Sequence, residues 1–195
     1  MAEPRTKHQV CDNALGPDPG GKPSNNGGIA ITGFGQHHQF CESLFNPDGN
    51  AYSCGYGGYG RLGHGNQQQQ FVPKLIEALS GMRVCAVSAG SRHSLFLTED
   101  GKVYSCGDGI FFGGNGPLGY GNFQRQLVPK LIEALSGVRV CAVSADNMHS
   151  LFVTEDGKAY SCGFGARGQL GRGTQEDQLV PKLIEALSGV RVCAV

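Results

Sequence analysis

Two segments of this 195-residue chain, GYGGYG at Gly55–Gly60 and GFGARG at Gly163–Gly168, have the G-x-G-x-x-G spacing that cradles a dinucleotide pyrophosphate. That cradle needs a helix directly after it, because the helix N-terminus faces the phosphate. RLGHGN and QLGRGT follow instead, so both segments read as glycine loops bridging strands. His93 and His149 each precede Ser-Leu-Phe. A histidine recurring at one place reads as holding the fold, by hydrogen bonds to nearby backbone, rather than as a catalyst or ligand. His37 and His38 are adjacent, and neighbours on a strand face opposite ways, which is poor metal geometry. Eight cysteines raise zinc and disulfide chemistry, but no C-x-x-C pair is present. Nothing in the chain directs export to an oxidising compartment. Small, buried, reduced thiols packing as hydrophobes are expected. There is no Ser/His/Asp set and no pair of carboxylates in a shared context. The expectation is therefore a protein that is not an enzyme, with no catalytic residue, no cofactor and no metal site.

The elements carrying these residues repeat. VPKLIEALSG stands at Val72–Gly81, Val128–Gly137 and Val180–Gly189, each time followed after one residue by RVCAV. DGNAYSCG from Asp48, DGKVYSCG from Asp100 and DGKAYSCG from Asp156 form a second marker. SRHSLFLTEDG from Ser91 and NMHSLFVTEDG from Asn147 form a third. The first marker recurs after 56 and then 52 residues, so the unit is 52 residues with four extra in one copy. Those four lie within Cys106–Asn122. Six cysteines follow the repeat: Cys54, Cys106 and Cys162 in YSCG, and Cys85, Cys141 and Cys193 in VCAV.

Composition narrows the function. Sixteen basic residues balance sixteen acidic ones, so nothing draws the whole chain to nucleic acid or to an anionic membrane. No apolar run has the length to span a bilayer. Glycine, at 32 residues, is about twice its usual share and clusters at fixed places in each unit, marking turns. Residues 1–28 are rich in Pro, Gly and Asn, lack a hydrophobic signal core and are expected to be disordered. An intracellular location, cytoplasmic or nuclear, is expected.

RVCAVSA, SLFLTED and KVYSCG read as three short strands, the last two joined by an Asp-Gly hairpin turn. PKLIEALSG is ambiguous. Its leading Pro and trailing Gly frame one or two helical turns, yet an edge strand also tolerates the Pro. Each unit is thus about four antiparallel strands. At this period the architecture is all-β, a set of β-propeller blades.

The order Asp-Gly-x-x-Tyr-Ser-x-Gly, a loop with Leu-Gly-x-Gly, Val-Pro, then Val-x-x-Val-Ser-Ala-Gly-x-x-His-Ser-Leu resembles the regulator of chromosome condensation repeat, over residues 29–195. The resemblance implies a seven-bladed ring and makes PKLIEALSG an edge strand. The units expected are a degenerate first (29–81), a second (82–137), a third (138–189) and the start of a fourth (190–195). The family usually carries Trp where Cys54, Cys106 and Cys162 stand, and this chain has no Trp. About three blades cannot close a ring. Two accounts stand. The chain is a piece of a longer product, or its final RVCAV completes the first unit of another copy, with self-association through open blade edges. Those open edges favour the first account.

The copies differ chiefly in two loops. After YSCG the chain reads YGGYGRLGH, DGIFFGGNGPLGY and FGARGQLGR. After VSA it reads GSRH or DNMH. Variable loops on a repeated scaffold are where selective binding is built. A protein partner is therefore expected at Phe111 and Phe112 as anchors, with Arg92, Asn147 and Met148 beside them. Arg61, Arg125 and Arg167 are expected as polar contacts at the rim. The resemblance implies an alternative, guanine-nucleotide exchange on a Ran-like small GTPase.

Overall fold

A computed structural model of the chain describes residues 30–32, 41–111 and 114–195. The segment 1–28, His37, His38 and Phe112 lie outside the described residues, as does the side chain of Phe111.

The first sheet runs β1 (Ala30–Thr32), β2 (Cys41–Phe45), β3 (Ala51–Gly55) and β4 (Gln70–Leu75), in that spatial order. The second contains β5 (Val84–Ala89), β6 (His93–Thr98) and β7 (Val103–Gly107). A small hairpin of β8 (Ile110–Phe111) and β9 (Gly114–Asn115) follows, and β10 (Gln126–Leu131) completes that sheet beside β7. The third is β11 (Val140–Ala145), β12 (His149–Thr154), β13 (Ala159–Gly163) and β14 (Gln178–Leu183). All neighbours are antiparallel. The described residues thus form three four-stranded blades, an all-β partial propeller.

The Asp-Gly turns join β6 to β7 and β12 to β13. Only the glycine takes positive φ, +81° at both Gly101 and Gly157, while Asp100 and Asp156 do not. The Gly101 amide donates to the Thr98 carbonyl at 2.8 Å. The loop is therefore the three-residue hairpin with a left-handed glycine, not a two-residue turn with both residues left-handed. Glycine is required for a second reason. Its carbonyl accepts the Val140 amide of the next blade at 3.1 Å, and a Cβ at Gly101 would stand 3.0 Å from the Arg139 Cα.

PKLIEALSG divides into both of its predicted forms. Lys74 and Leu75 end β4, and Glu77–Leu79 make one 3-10 turn. β4 and its counterparts β10 and β14 each pair on one side only, so they are edge strands. Pro129 sits where the β10–β7 register breaks, between Gln126 and Lys130. No ladder bond is lost there, which is why Pro is tolerated. The 3-10 turn then drops Ile76 and Leu79 into the core.

The core lies between blades. Ala51, Ile76, Leu79, Val84, Val87, Phe96 and Cys106 fill the space between the first and second sheets. Leu95, Leu97, Val103, Ile132, Leu135, Val140, Phe152 and Cys162 fill that between the second and third. The cysteines follow this layering only in part. Cys106 and Cys162 are fully buried, and Cys54 and Cys85 are half-buried. Cys141 and Cys193 are exposed, which corrects the expectation that all six are buried. Cys85 packs against the cluster beneath the third sheet. Cys141 occupies the same place on β11, where no further described sheet covers it.

Candidate functional site

The variable loop after β3 turns through a 3-10 element at Gly58–Gly60. Tyr59, at its centre, has φ +66°, the one non-glycine residue with positive φ among those described. A tyrosine in that region costs about 1–2 kcal/mol, so its surroundings must hold it there. They do so from two blades. The Tyr59 amide donates to Gln67 Oε1 at 3.2 Å. Three guanidinium carbons approach its ring: Arg92 at 4.6 Å, Arg125 at 5.0 Å and Arg61 at 5.4 Å. Each such contact is worth about 0.5–1 kcal/mol where solvent reaches it.

Asp108, in the loop after β7, anchors the two outer arginines. Its carboxylate lies 3.7 Å from Arg92 Nη1 and 3.4 Å from Arg125 Nη2. Arg125 also donates to Gln67 Oε1 at 3.3 Å. Asp108 thus meets two of the three arginines gathered around Tyr59. Nearby, Ser91 Oγ donates to the Asn147 side chain at 2.5 Å and lies 3.2 Å from its carbonyl, joining the two loops that follow Val-Ser-Ala.

Of the residues singled out by sequence, the structure brings Arg61, Arg92 and Arg125 together. Arg61 is not at the rim, however. Its relative exposure is 0%, and its Nε donates to the Gly58 carbonyl at 3.0 Å. It is a support under Tyr56 and Tyr59, because the loop folds its long side chain inward. Arg167 is exposed on the third loop, where its amide donates to Gln169 Oε1 at 2.9 Å. No described contact joins it to the cluster. Met148 is half-buried. The insertion carrying Phe111 forms the β8–β9 hairpin, with Phe111 opposite Gly114. Tyr59, Asp108 and Gln67 were missed by sequence reading. The available signal was Asp108 itself, which replaces the aromatic found at Tyr56 and Phe164.

The repeated histidine joins blades through a side chain, not through nearby backbone. His93 Nε2 pairs with Ser150 Oγ at 2.9 Å, and Ser150 Oγ donates to the Pro117 carbonyl at 2.8 Å. His93 Nδ1 is buried without a partner among the described residues. Burial, aided by repulsion from His149, pushes the His93 pKa down to about 4, so the ring is neutral. Among the described residues, no three His, Cys, Asp or Glu side chains cluster as a metal would need. Among the described residues, no helix is long and apolar enough to cross a membrane.

Successive four-stranded sheets packed face to face, joined by glycine loops with a variable polar face, define a segment of β-propeller. Three matches to the regulator of chromosome condensation (RCC1) repeat model cover residues 48–97, 100–153 and 156–195. The chain belongs to the RCC1 repeat family. It is 41% identical over 133 residues to the ultraviolet-B receptor UVR8 of Arabidopsis thaliana, covering 68% of this chain and 29% of the receptor. It is 39% identical over 135 residues to the human E3 ubiquitin-protein ligase HERC2, covering 68% of this chain and 3% of the ligase. Among solved structures, human WBSCR16 aligns with a TM-score of 0.66 at 22% identity, over 77% of this chain and 37% of that one. Prp20p of Saccharomyces cerevisiae, described with its binding properties to Gsp1p and histones, aligns with a TM-score of 0.64 at 25% identity. That alignment covers 74% of this chain and 36% of Prp20p. The chain therefore spans less than a third of either curated relative.

Proposed function

We propose that this chain is a non-catalytic protein-interaction module that binds its partner through the variable loops, centred on Tyr59, Arg92 and Arg125. The observation carrying this reading is that the arginine cluster around Tyr59 sits where the copied framework changes. Arg92 and Arg125 each keep about a third of their side-chain surface open, at 33% and 38%. Asp108 and the Tyr59 ring hold both guanidiniums in place, so a partner carboxylate meets donors already positioned. The partner chemistry is an acidic segment of a protein.

The test is capture of partners from extract by the wild-type chain and by an Arg92→Ser, Arg125→Ser double variant, both checked for folding. Loss of the captured proteins in the double variant, with Arg167→Ser still binding, is expected. Unchanged capture by a folded double variant would overturn the reading.

A second reading is guanine-nucleotide exchange. It is favoured by the likeness to Prp20p, which binds Gsp1p. Its test is release of labelled nucleotide from a Ran-like GTPase, which a pure binding module leaves at the spontaneous rate.

A further inference from the structure

The second blade departs from the other two at one place on its loop face. The position of Phe123 is exposed in all three blades, and the other two hold Gln67 and Gln175 there. Phe123 is 40% exposed, a large apolar ring where the repeated framework keeps an amide. Two residues on, Arg125 stands where the other blades have Gln69 and Asp177. The four-residue insertion adds Ile110, which is 49% exposed on β8. These changes meet in space. A Cβ at Gly109 would stand 2.6 Å from the Gln124 carbonyl oxygen and 2.8 Å from the Phe123 carbonyl carbon, so the two backbones are closely packed. Ile110 follows Gly109 directly, so the two exposed apolar residues belong to one patch.

Asp108 ties this patch to the arginines. It precedes Gly109, and its carboxylate lies 3.4 Å from Arg125 Nη2 and 3.7 Å from Arg92 Nη1. Phe123 and Arg125 are two residues apart, so their Cα atoms lie within about 7 Å of each other. An apolar pair and a guanidinium pair therefore share one small surface. Both flanks of this blade are packed against neighbouring sheets, so the patch belongs to the loop face and not to a joint.

We propose that this surface takes an extended protein segment with an aspartate or glutamate two residues from a large apolar side chain. The inference rests on the reading that the Tyr59 cluster receives an acidic segment, and adds the apolar half of that segment. The carboxylate pairs with Arg92 and Arg125, and the apolar side chain covers Ile110 and Phe123. In an extended segment, residues two apart share a face and lie about 6.6 Å apart, which suits the spacing of Phe123 and Arg125. The arginines alone would accept any carboxylate, and exposed ion pairs contribute little. Burying an aromatic ring supplies the affinity and the sequence preference that such pairs lack. The chain's charges balance, so nothing draws it as a whole to an anionic membrane instead.

The experiment uses the whole chain, immobilised, to select short random peptides displayed on phage. Selected sequences should be enriched in Asp or Glu two positions from Phe, Trp, Leu or Ile. Labelled copies of those peptides are then titrated by fluorescence polarisation against the wild type and two double variants, with circular dichroism melts confirming folding. The pair Ile110→Ser, Phe123→Gln, which puts at 123 the residue of the other two blades, should weaken binding at least about tenfold. The pair Arg92→Ser, Arg125→Ser should weaken it by a similar factor. Replacing the peptide's apolar residue by Ala should cost as much as the apolar double variant. The two losses should not add, because both remove one contact. Binding lost with the arginines but untouched by Ile110→Ser, Phe123→Gln would overturn this inference and leave the acidic-segment reading standing. Loss in the apolar variant alone would overturn both. Selection that yields no binding peptide, or losses that add in full, overturns the inference. Wild type that binds vesicles of phosphatidylserine and phosphatidylcholine, with both variants failing to, would make the occupant an anionic membrane and overturn it as well.

Discussion

At the scale of single residues, the groups of most consequence are polar side chains set between blades. His93 shows why. Its ring is fully enclosed and stays neutral, with a pKa near 4 against about 6.5 in an unfolded chain. The unfolded state therefore takes up a proton first as pH falls. The stability tied to the neutral ring is present above about pH 6.5 and is lost between there and about pH 4. The loss is bounded at about 3 kcal/mol. His64 and His149 are lowered too, first by burial, and act in the same direction. Asp100 is held below its usual range chiefly by hydrogen bonds from Lys102 and Thr98, and acts only below that window. Urea midpoints measured from pH 7 to pH 4.5 should fall, and should fall less in His93→Gln. An identical decline in that variant would show that the ring does not carry the effect. The recurrence of His93 was readable as structural, but its partner was not. Ser150 lies 57 residues away, and nothing local ties one to the other. The Tyr59 cluster was half legible for a similar reason. Arg61 and Arg92 were marked by the variable loops, and Arg125 was expected as a further polar contact. Whether a side chain folds inward, as Arg61 does, depends on a second blade.

At the scale of elements, glycine positions decide how closely blades approach. Gly101 and Gly81 both have positive φ, +81° and +79°. They differ in space: a Cβ at Gly81 meets nothing within 4 Å, while one at Gly101 stands 3.0 Å from the Arg139 Cα. Gly81→Ala should cost about 1–2 kcal/mol, the backbone strain alone. Gly101→Ala should cost clearly more, because Arg139 must shift and the Val140 bond to the Gly101 carbonyl with it. Equal losses in urea unfolding would mean the next blade yields freely. This difference could not be read from sequence, where both glycines simply end a turn. The strands themselves could, since VCAVSA, HSLFLT and VYSCG carry β-formers between turn residues. PKLIEALSG was ambiguous because it holds two elements in nine residues, and the pairing that extends Lys74 and Leu75 comes from β3. The Asp-Gly dipeptide marked the hairpin but not its type. Glu99 and Asp100 complete a longer loop that leaves only glycine left-handed.

At the scale of the molecule, each blade contacts its neighbours alone, and stability is then a sum of blade and joint contributions. The two joints are not equal. Among the described residues, the one between the second and third blades buries eight hydrophobic side chains, with seven more packed against them. Among the same residues, the one between the first and second buries seven, with three more against them. Each joint contains one enclosed thiol that reports its opening. Cys106 Sγ donates to the Arg61 carbonyl at 3.4 Å across the first joint, and Cys162 Sγ to the Pro117 carbonyl at 3.6 Å across the second. Burial raises the Cys162 pKa, so it does not react as it stands and must be uncovered first. In the folded protein Cys141, exposed although burial of part of its surroundings also raises its pKa, should react with a thiol reagent faster than Cys106 and Cys162. Of the slow pair, Cys106 should react faster, since fewer of the described apolar side chains close its joint. Single-cysteine variants, labelled under native conditions and followed by mass, measure the three rates separately. Equal slow rates at Cys106 and Cys162 would mean that the blades open together as one cooperative unit. The reverse order would mean that the polar links of the first joint, Ser94 to Arg61 and Arg125 to Gln67, outweigh its smaller apolar core.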